Sequence, residues 1–167
     1  MTTAHWSTLD TRIGPFTAIV AADGAVLASG WTSDVDSLHS IVSPSLRAGQ
    51  LRRTRDLGEV TTAIRRYHAG EFDAVDPIPV RQRAGEFLAH AWDVLRSVPA
   101  GKPVTYTELA ALAGRPDAVR AAASACARNA CALFVPCHRV LRISGAMGGF
   151  RWGVDVKRWL LDHESDG

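Results

Sequence analysis

A thiol, an imidazole and a guanidinium stand in a row in Pro136-Cys137-His138-Arg139-Val140, directly after the apolar run Ala132-Leu133-Phe134-Val135. A free thiol near neutral pH is only slightly ionised, and the thiolate is the attacking form. Neighbouring positive charge and hydrogen bonds therefore decide whether a cysteine reacts. This setting predicts an ionised, nucleophilic Cys137 rather than an inert core thiol. Adjacent side chains on a turning backbone point apart, so His138 would take the thiol proton through a water, with an acid to hold its tautomer. Glu164, at the end of the last apolar helix, is the candidate acid. Cys126, Cys131, Cys137 and His138 also form C-x4-C-x5-C-H. Structural zinc prefers ligand pairs roughly two to four residues apart, and Cys126 falls inside a predicted helix, so no metal is expected. A cysteine hydrolase is disfavoured, because Cys137 and His138 are adjacent and no oxyanion-hole signature accompanies them.

The elements that must position these residues are mostly helical. Phe87, Ala91, Val94 and Leu95 form an apolar stripe that Pro99-Ala100-Gly101 ends. Thr105 and Glu108 spell a capping box for a short helix through Ala113, Gly114-Arg115-Pro116 turns the chain, and Asp117 is placed to cap a second helix to about Arg128. This is a helix-turn-helix outline. The second helix is nearly all Ala and Ser, leaving Arg120, Cys126 and Arg128 as its larger side chains. Such a helix either packs tightly in a core or lets its backbone approach a duplex closely. It has no row of base-reading side chains, so sequence-specific recognition is not indicated. Asn129 suits a left-handed turn at its C-terminus. Upstream, Thr17–Ala21 and Ala25–Trp31 read as a hairpin about Ala22-Asp23-Gly24, and Gly58–Ala69 as a helix stopped by Gly70. Residues 32–56 carry no clear period. Asp73–Val80, with two prolines, reads as an extended linker, dividing a lobe of residues 1–80 from one of residues 81–167.

A chain of 167 residues, 47% hydrophobic and 22% charged, can build one good core or two small ones. Its net charge of +2 conceals a division: ten Lys/Arg against three acids from Arg96 to Arg158, and nine against fourteen elsewhere. A basic lobe with a helix-turn-helix outline suggests a polyanionic partner. No apolar run approaches a membrane span, Met1–Trp6 lacks the marks of a signal peptide, and three crowded cysteines suit a reducing compartment, so a cytoplasmic location is expected.

The Cys137 motif, with Gly148-Gly149-Phe150-Arg151-Trp152-Gly153, Lys157-Arg158-Trp159-Leu160-Leu161 and the stretch from Ala118 to Asn129, resembles the 6-O-alkylguanine-DNA alkyltransferases, in particular their adaptive-response branch. Ile13-Gly14-Pro15 extends the likeness weakly toward the N-terminus. The resemblance implies an α+β fold, with a small ribonuclease-H-like sheet-and-helix lobe followed by a mainly helical winged helix-turn-helix lobe. It implies irreversible transfer of a methyl or small alkyl group from 6-O-alkylguanine, or 4-O-alkylthymine, in double-stranded DNA to Cys137. No cofactor is needed, and a monomer would act from the minor groove. Glu164, His138 and a water would then form the proton relay, and Asn129 would bridge the helix-turn-helix to the nucleophile. Tyr106 would press on the displaced phosphate and donate to the base, and Arg120 would fill the stack when the nucleotide swings out. Thr105, Ala121 and Arg128 would complete the DNA face, while Val140, Ser144, Phe150, Arg151 and Trp152 would wall the pocket with Tyr106. Two departures stand out. Ala130 replaces the proline common after Asn129, and Trp152 follows Phe150 where many members have a glycine pair after tyrosine. The extra indole is expected to narrow the mouth against a benzyl group. The alternative is a helix-turn-helix protein that only senses lesions or regulates, as relatives lacking the cysteine do; the presence of Cys137 argues against it.

Overall fold

The computed structural model describes residues 2–165, which gather into two compact units. Of the described residues, the first holds those up to Arg83 together with Ala130–Phe134; the second holds Ala84–Asn129 and those from Val135 onward. The elements are mixed α+β, with a four-stranded and a two-stranded sheet and six α-helices among the described residues.

The first unit is built on strands β1 (Thr3–Thr11), β2 (Gly14–Val20), β3 (Val26–Gly30) and β4 (Gln50–Arg53), in the order β3-β2-β1-β4. β1 pairs antiparallel with β2, from His5 opposite Val20 to Thr11 opposite Gly14, and parallel with β4. The predicted β2–β3 hairpin forms, with Gly24 at φ +95° in its turn. The unreadable region contains a short helix, α1 (Val35–Ser40), capped by Asp34, whose side chain accepts from the Ser37 N–H at 3.2 Å. Helix α2 (Glu59–His68) buries Val60, Ala63, Ile64 and Tyr67, a single stripe at helical spacing. Phe16 of β2 meets Trp31 edge-on at 4.9 Å between ring centroids and His68 at 6.2 Å, closing the aromatic centre of this core. The expected extended linker is instead a 3₁₀ turn over Phe72–Val75, and only its end is extended, where Val80 bridges Val26. Packing of Phe72 against Tyr67, 5.6 Å apart, draws that turn in where proline spacing alone suggested a straight run.

The second unit contains α3 (Glu86–Leu95), β5 (Val104–Thr105), α4 (Tyr106–Leu112), α5 (Val119–Arg128), β6 (Val140–Leu141) and α6 (Val154–Ser165). Trp92 of α3 is buried and donates its indole N–H to the Ala125 carbonyl of α5 at 2.8 Å, which the small residues of α5 leave accessible. The capping box forms in full: Glu108 N–H donates to Thr105 Oγ1 and Thr105 N–H to Glu108 Oε1, each at 3.0 Å. Asp117 does not cap α5. Residues 115–118 close a turn through Ala118 N–H to Arg115 O at 2.9 Å, so the helix begins one residue later than Asp117 could serve, with Ala118 at its start. β5 and β6 pair in parallel, Val104 opposite Val140. The inner face of α6 is not apolar as read from sequence: its buried residues are Lys157, Leu160 and Glu164. Two charges on a buried face require partners, and those partners belong to the nucleophile segment.

Candidate active site

Every residue from Cys131 to Val140 is buried. Within this run the chain makes an inverse γ-turn at Pro136 (φ −81°, ψ 65°), closed by Cys137 N–H to Val135 O at 2.8 Å, and then a 3₁₀ turn over Cys137–Arg139. Asn129 holds this turn from the end of α5. Its Nδ2 donates to Val135 O at 2.8 Å and to Cys137 Sγ at 3.3 Å. Asn129 is extended (φ −65°, ψ 118°), not left-handed, because its side chain is committed to these two acceptors.

The tight turn sends the next two side chains away from the sulfur and onto α6. His138 Nε2 donates to Glu164 Oε2 at 2.8 Å, while Arg139 engages the same carboxylate with Nε at 2.9 Å on Oε1 and Nη2 at 2.9 Å on Oε2. A third Arg139 nitrogen, Nη1, donates to Val98 O at 2.7 Å. Burial would raise the Glu164 carboxyl, but the hydrogen bonds and charges of His138 and Arg139 outweigh it and hold the group far below the ordinary range. Glu164 is therefore ionised and fixes the imidazole proton on Nε2. Burial lowers His138 below its usual value, with Glu164 opposing, and leaves a neutral ring whose Nδ1 is buried and without a protein partner. Among the described residues no three His, Cys, Asp or Glu side chains converge as a metal site.

Cys137 opens onto a cavity of about 400 Å³, whose lining includes Tyr106, Cys126, Asn129, Phe150, Arg151 and Trp152. The expectation of a resting thiolate is corrected here. Burial pushes the Cys137 thiol up, and the opposing Asn129 hydrogen bond and the charges of Lys157 and Arg151 do not overcome it. Arg139, the cation next in sequence, spends its charge on Glu164. Tyr106 is likewise raised, first by burial, so its phenol stays protonated. At Gly148 (φ +72°) a Cβ would lie 2.9 Å from Tyr106 Oη, so a larger residue would be strained and would have to displace the phenol or its own loop. Arg151 ties the wall to α5 by donating to Ala127 O at 2.8 Å.

Comparison with known proteins converges on one family. The family model described as 6-O-methylguanine DNA methyltransferase, DNA binding domain, matches residues 86–166. The methylated-DNA–protein-cysteine methyltransferase of Mycobacterium bovis is 34% identical over 163 residues, covering 96% of this chain and 92% of that one. This chain belongs to the methylated-DNA–protein-cysteine methyltransferase family. The bifunctional transcriptional activator/DNA repair enzyme Ada of Escherichia coli is 46% identical over 89 residues, so the chain spans about a quarter (25%) of that relative's length. A crystal structure of Mycobacterium tuberculosis OGT in complex with DNA superposes with a TM-score of 0.79 at 28% identity, covering 97% of this chain and 93% of that one.

In this methyltransferase-family chain, then, Cys137, Asn129, Tyr106, Phe150, Arg151 and Trp152 share one cavity, and His138 and Glu164 join behind it. Two residues expected in the pocket lie outside its lining: Val140 is buried in the β5–β6 pair, and Ser144 is exposed. Arg120 and Arg128 are exposed on α5, Ala121 is half-buried beside them, and Thr105 is occupied by the capping box. Sequence reading missed Lys157, the Arg139–Glu164 pair and Cys126 as a lining residue. One signal was available. Lys157, Leu160 and Glu164 recur at helical spacing on one face, which marks two charges for burial together.

Proposed function

We propose that the chain repairs alkylated DNA by direct reversal, moving a methyl or small alkyl group from 6-O-alkylguanine, and from 4-O-alkylthymine, onto Cys137. The observation that carries this reading is a buried thiol opening, beside a protonated Tyr106, onto a cavity of about 400 Å³, with a neutral His138 fixed behind it by an ionised Glu164. Because burial keeps the resting thiol protonated, its proton leaves during the reaction, through a water to His138 Nδ1; the imidazolium so formed is neutralised by Glu164. The sulfur lone pair attacks the alkyl carbon as the carbon–oxygen bond breaks, and that electron pair returns to the base. The base takes a proton donated by Tyr106 and leaves as restored guanine. The product is a thioether, which offers water no activated carbonyl, so one chain accepts one alkyl group.

The reacting oxygen cannot be reached inside a duplex, and swinging the nucleotide out costs a few kcal/mol, less where a lesion weakens pairing. Exposed Arg120 on α5 supports insertion from the minor groove, and the near absence of base-reading side chains on that helix supports binding without sequence preference. In this reading α4 and α5 act as the helix-turn-helix, with the β5–β6 pair and the loop after β6 as its wing. The first unit is a ribonuclease-H-like scaffold, and the chain works as a monomer in a reducing cytoplasm without cofactor.

Mass spectrometry after incubation with a methylated duplex tests the proposal. The expected result is a single added methyl on the peptide carrying Cys137, in amount equal to the lesion removed. An untouched Cys137 with bound but unrepaired DNA would favour a sensor, and repeated turnover would favour a hydrolase; either outcome overturns the reading.

A further inference from the structure

The alkyl-transfer scheme leaves one buried charge in the second unit unused. Lys157 of α6 is fully buried, and its Nζ donates to Val140 O at 2.8 Å and, at the limit of hydrogen bonding, to Gly149 O at 3.5 Å. Among the described residues no carboxylate pairs with it. Glu164, on the same face of the helix, is engaged by His138 and Arg139. An ammonium removed from water with only carbonyl dipoles around it is costly, and it persists only where something compensates. Its two anchors locate it: Val140 lies three residues beyond the nucleophile, and Gly149 lines the cavity that Cys137 lines. The groups that Lys157 interacts with electrostatically are the Cys137 and Cys126 thiols, the Arg142 guanidinium and the His138 imidazole, which Lys157 helps to keep neutral. Those that face Cys137 are the Asn129 amide, Lys157 and Arg151, with Cys126 and Tyr106 on the same cavity wall. None is a carboxylate, so a sulfur that has lost its proton is the counter-ion within reach.

We propose that Lys157 is a positioning residue: it supplies the counter-charge to Cys137 while the thiolate exists and, through the Val140 and Gly149 carbonyls, ties the cavity loop to β6. The interaction is felt from both ends, since Lys157 acts to lower the thiol and the thiol acts to raise Lys157. When the sulfur takes its alkyl group it becomes neutral, and the ammonium falls back on its two carbonyls. This inference rests on the alkyl-transfer reading but can fail independently of it.

The test needs no DNA. Alkylation of Cys137 by iodoacetamide is followed against pH by peptide mass spectrometry in the wild type and in K157Q, K157R and K157M. Gln keeps an N–H donor for Val140 but no charge, so it separates the tie from the field. In K157Q the profile should move up by about one pH unit, leaving Cys137 about tenfold slower near neutrality, while K157R stays near the wild type and K157M follows K157Q. A purely structural lysine would slow transfer from DNA without moving this profile. An unmoved profile in folded K157Q overturns the proposal. Should the Gln and Met variants not fold, the wild type answers instead through the ¹³C NMR titration of Lys157 before and after Cys137 is blocked with iodoacetamide. The titration should move down on blocking, and no movement overturns the proposal. A shifted profile together with failed methyl transfer from DNA would sink the repair reading and leave this one standing.

Discussion

At the scale of single residues, one carboxylate organises the site. Glu164 accepts from His138 and twice from Arg139, and both partners are buried. Removing its charge strands a guanidinium in the interior, a change that typically costs about 3–5 kcal/mol. Glu164→Gln should therefore lower unfolding stability by about 3 kcal/mol and slow methyl transfer in the same protein. Urea unfolding and single-turnover assays measure the two effects; a variant as stable as the wild type would show that this pair does not hold the nucleophile segment. The neighbours of Cys137 singled it out in the sequence, but they did not reveal its protonation state. Sequence adjacency put Arg139 beside the thiol, whereas the turn at Pro136 turned it toward Glu164, and burial then outweighed the remaining cations.

At the scale of elements, the loop from Gly149 to Trp152 lines the cavity that Cys137 opens onto. Gly148 combines a positive φ with the Tyr106 phenol 2.9 Å from where a Cβ would be. Gly148→Ala should displace either the loop or the ring, cutting the rate of methyl transfer while leaving the far-UV circular dichroism unchanged; a fully active G148A would show that Tyr106 does not need its present seat. Two and four residues further along, Phe150 and Trp152 both line the cavity. Methyl and ethyl lesions should react well and benzyl poorly, and Trp152→Ala should raise the benzyl-to-methyl rate ratio about tenfold, the scale on which a pocket discriminates by size. Comparable wild-type rates for benzyl and methyl would contradict the narrowed mouth. What sequence revealed about elements follows the range of the forces. The capping box at Thr105 is local and formed as read, as did the hairpin at Gly24. Strand β1 mixes Thr, His and Ser with apolar residues and declares itself only by pairing on both sides. The start of α5 depended on where a preceding turn closed, which Asp117 by itself could not reveal.

At the scale of the whole molecule, the charge division read from sequence needs one refinement. Of the ten cations between Arg96 and Arg158, Arg139 and Lys157 are buried and internally engaged, so the exposed positive charge is carried by others, among them Arg115, Arg120, Arg128, Arg142, Arg151 and Arg158. The buried groups matter instead for stability against pH. His138 is held below its ordinary value by burial, so between that value and the folded one the unfolded chain binds a proton that the native ring refuses. Its contribution is thus complete above about pH 6.5 and is lost as pH falls through the folded value. Glu164, also depressed, adds a second loss that begins below about pH 4.3 and continues downward. Urea midpoints measured from neutral pH into the acid range should fall in two stages, and His138→Gln should remove the first while keeping the second. A wild-type midpoint that stays level until the carboxylates titrate would mean that His138 is protonated as readily in the folded protein as in the unfolded one, and a charged ring could not accept the Cys137 proton.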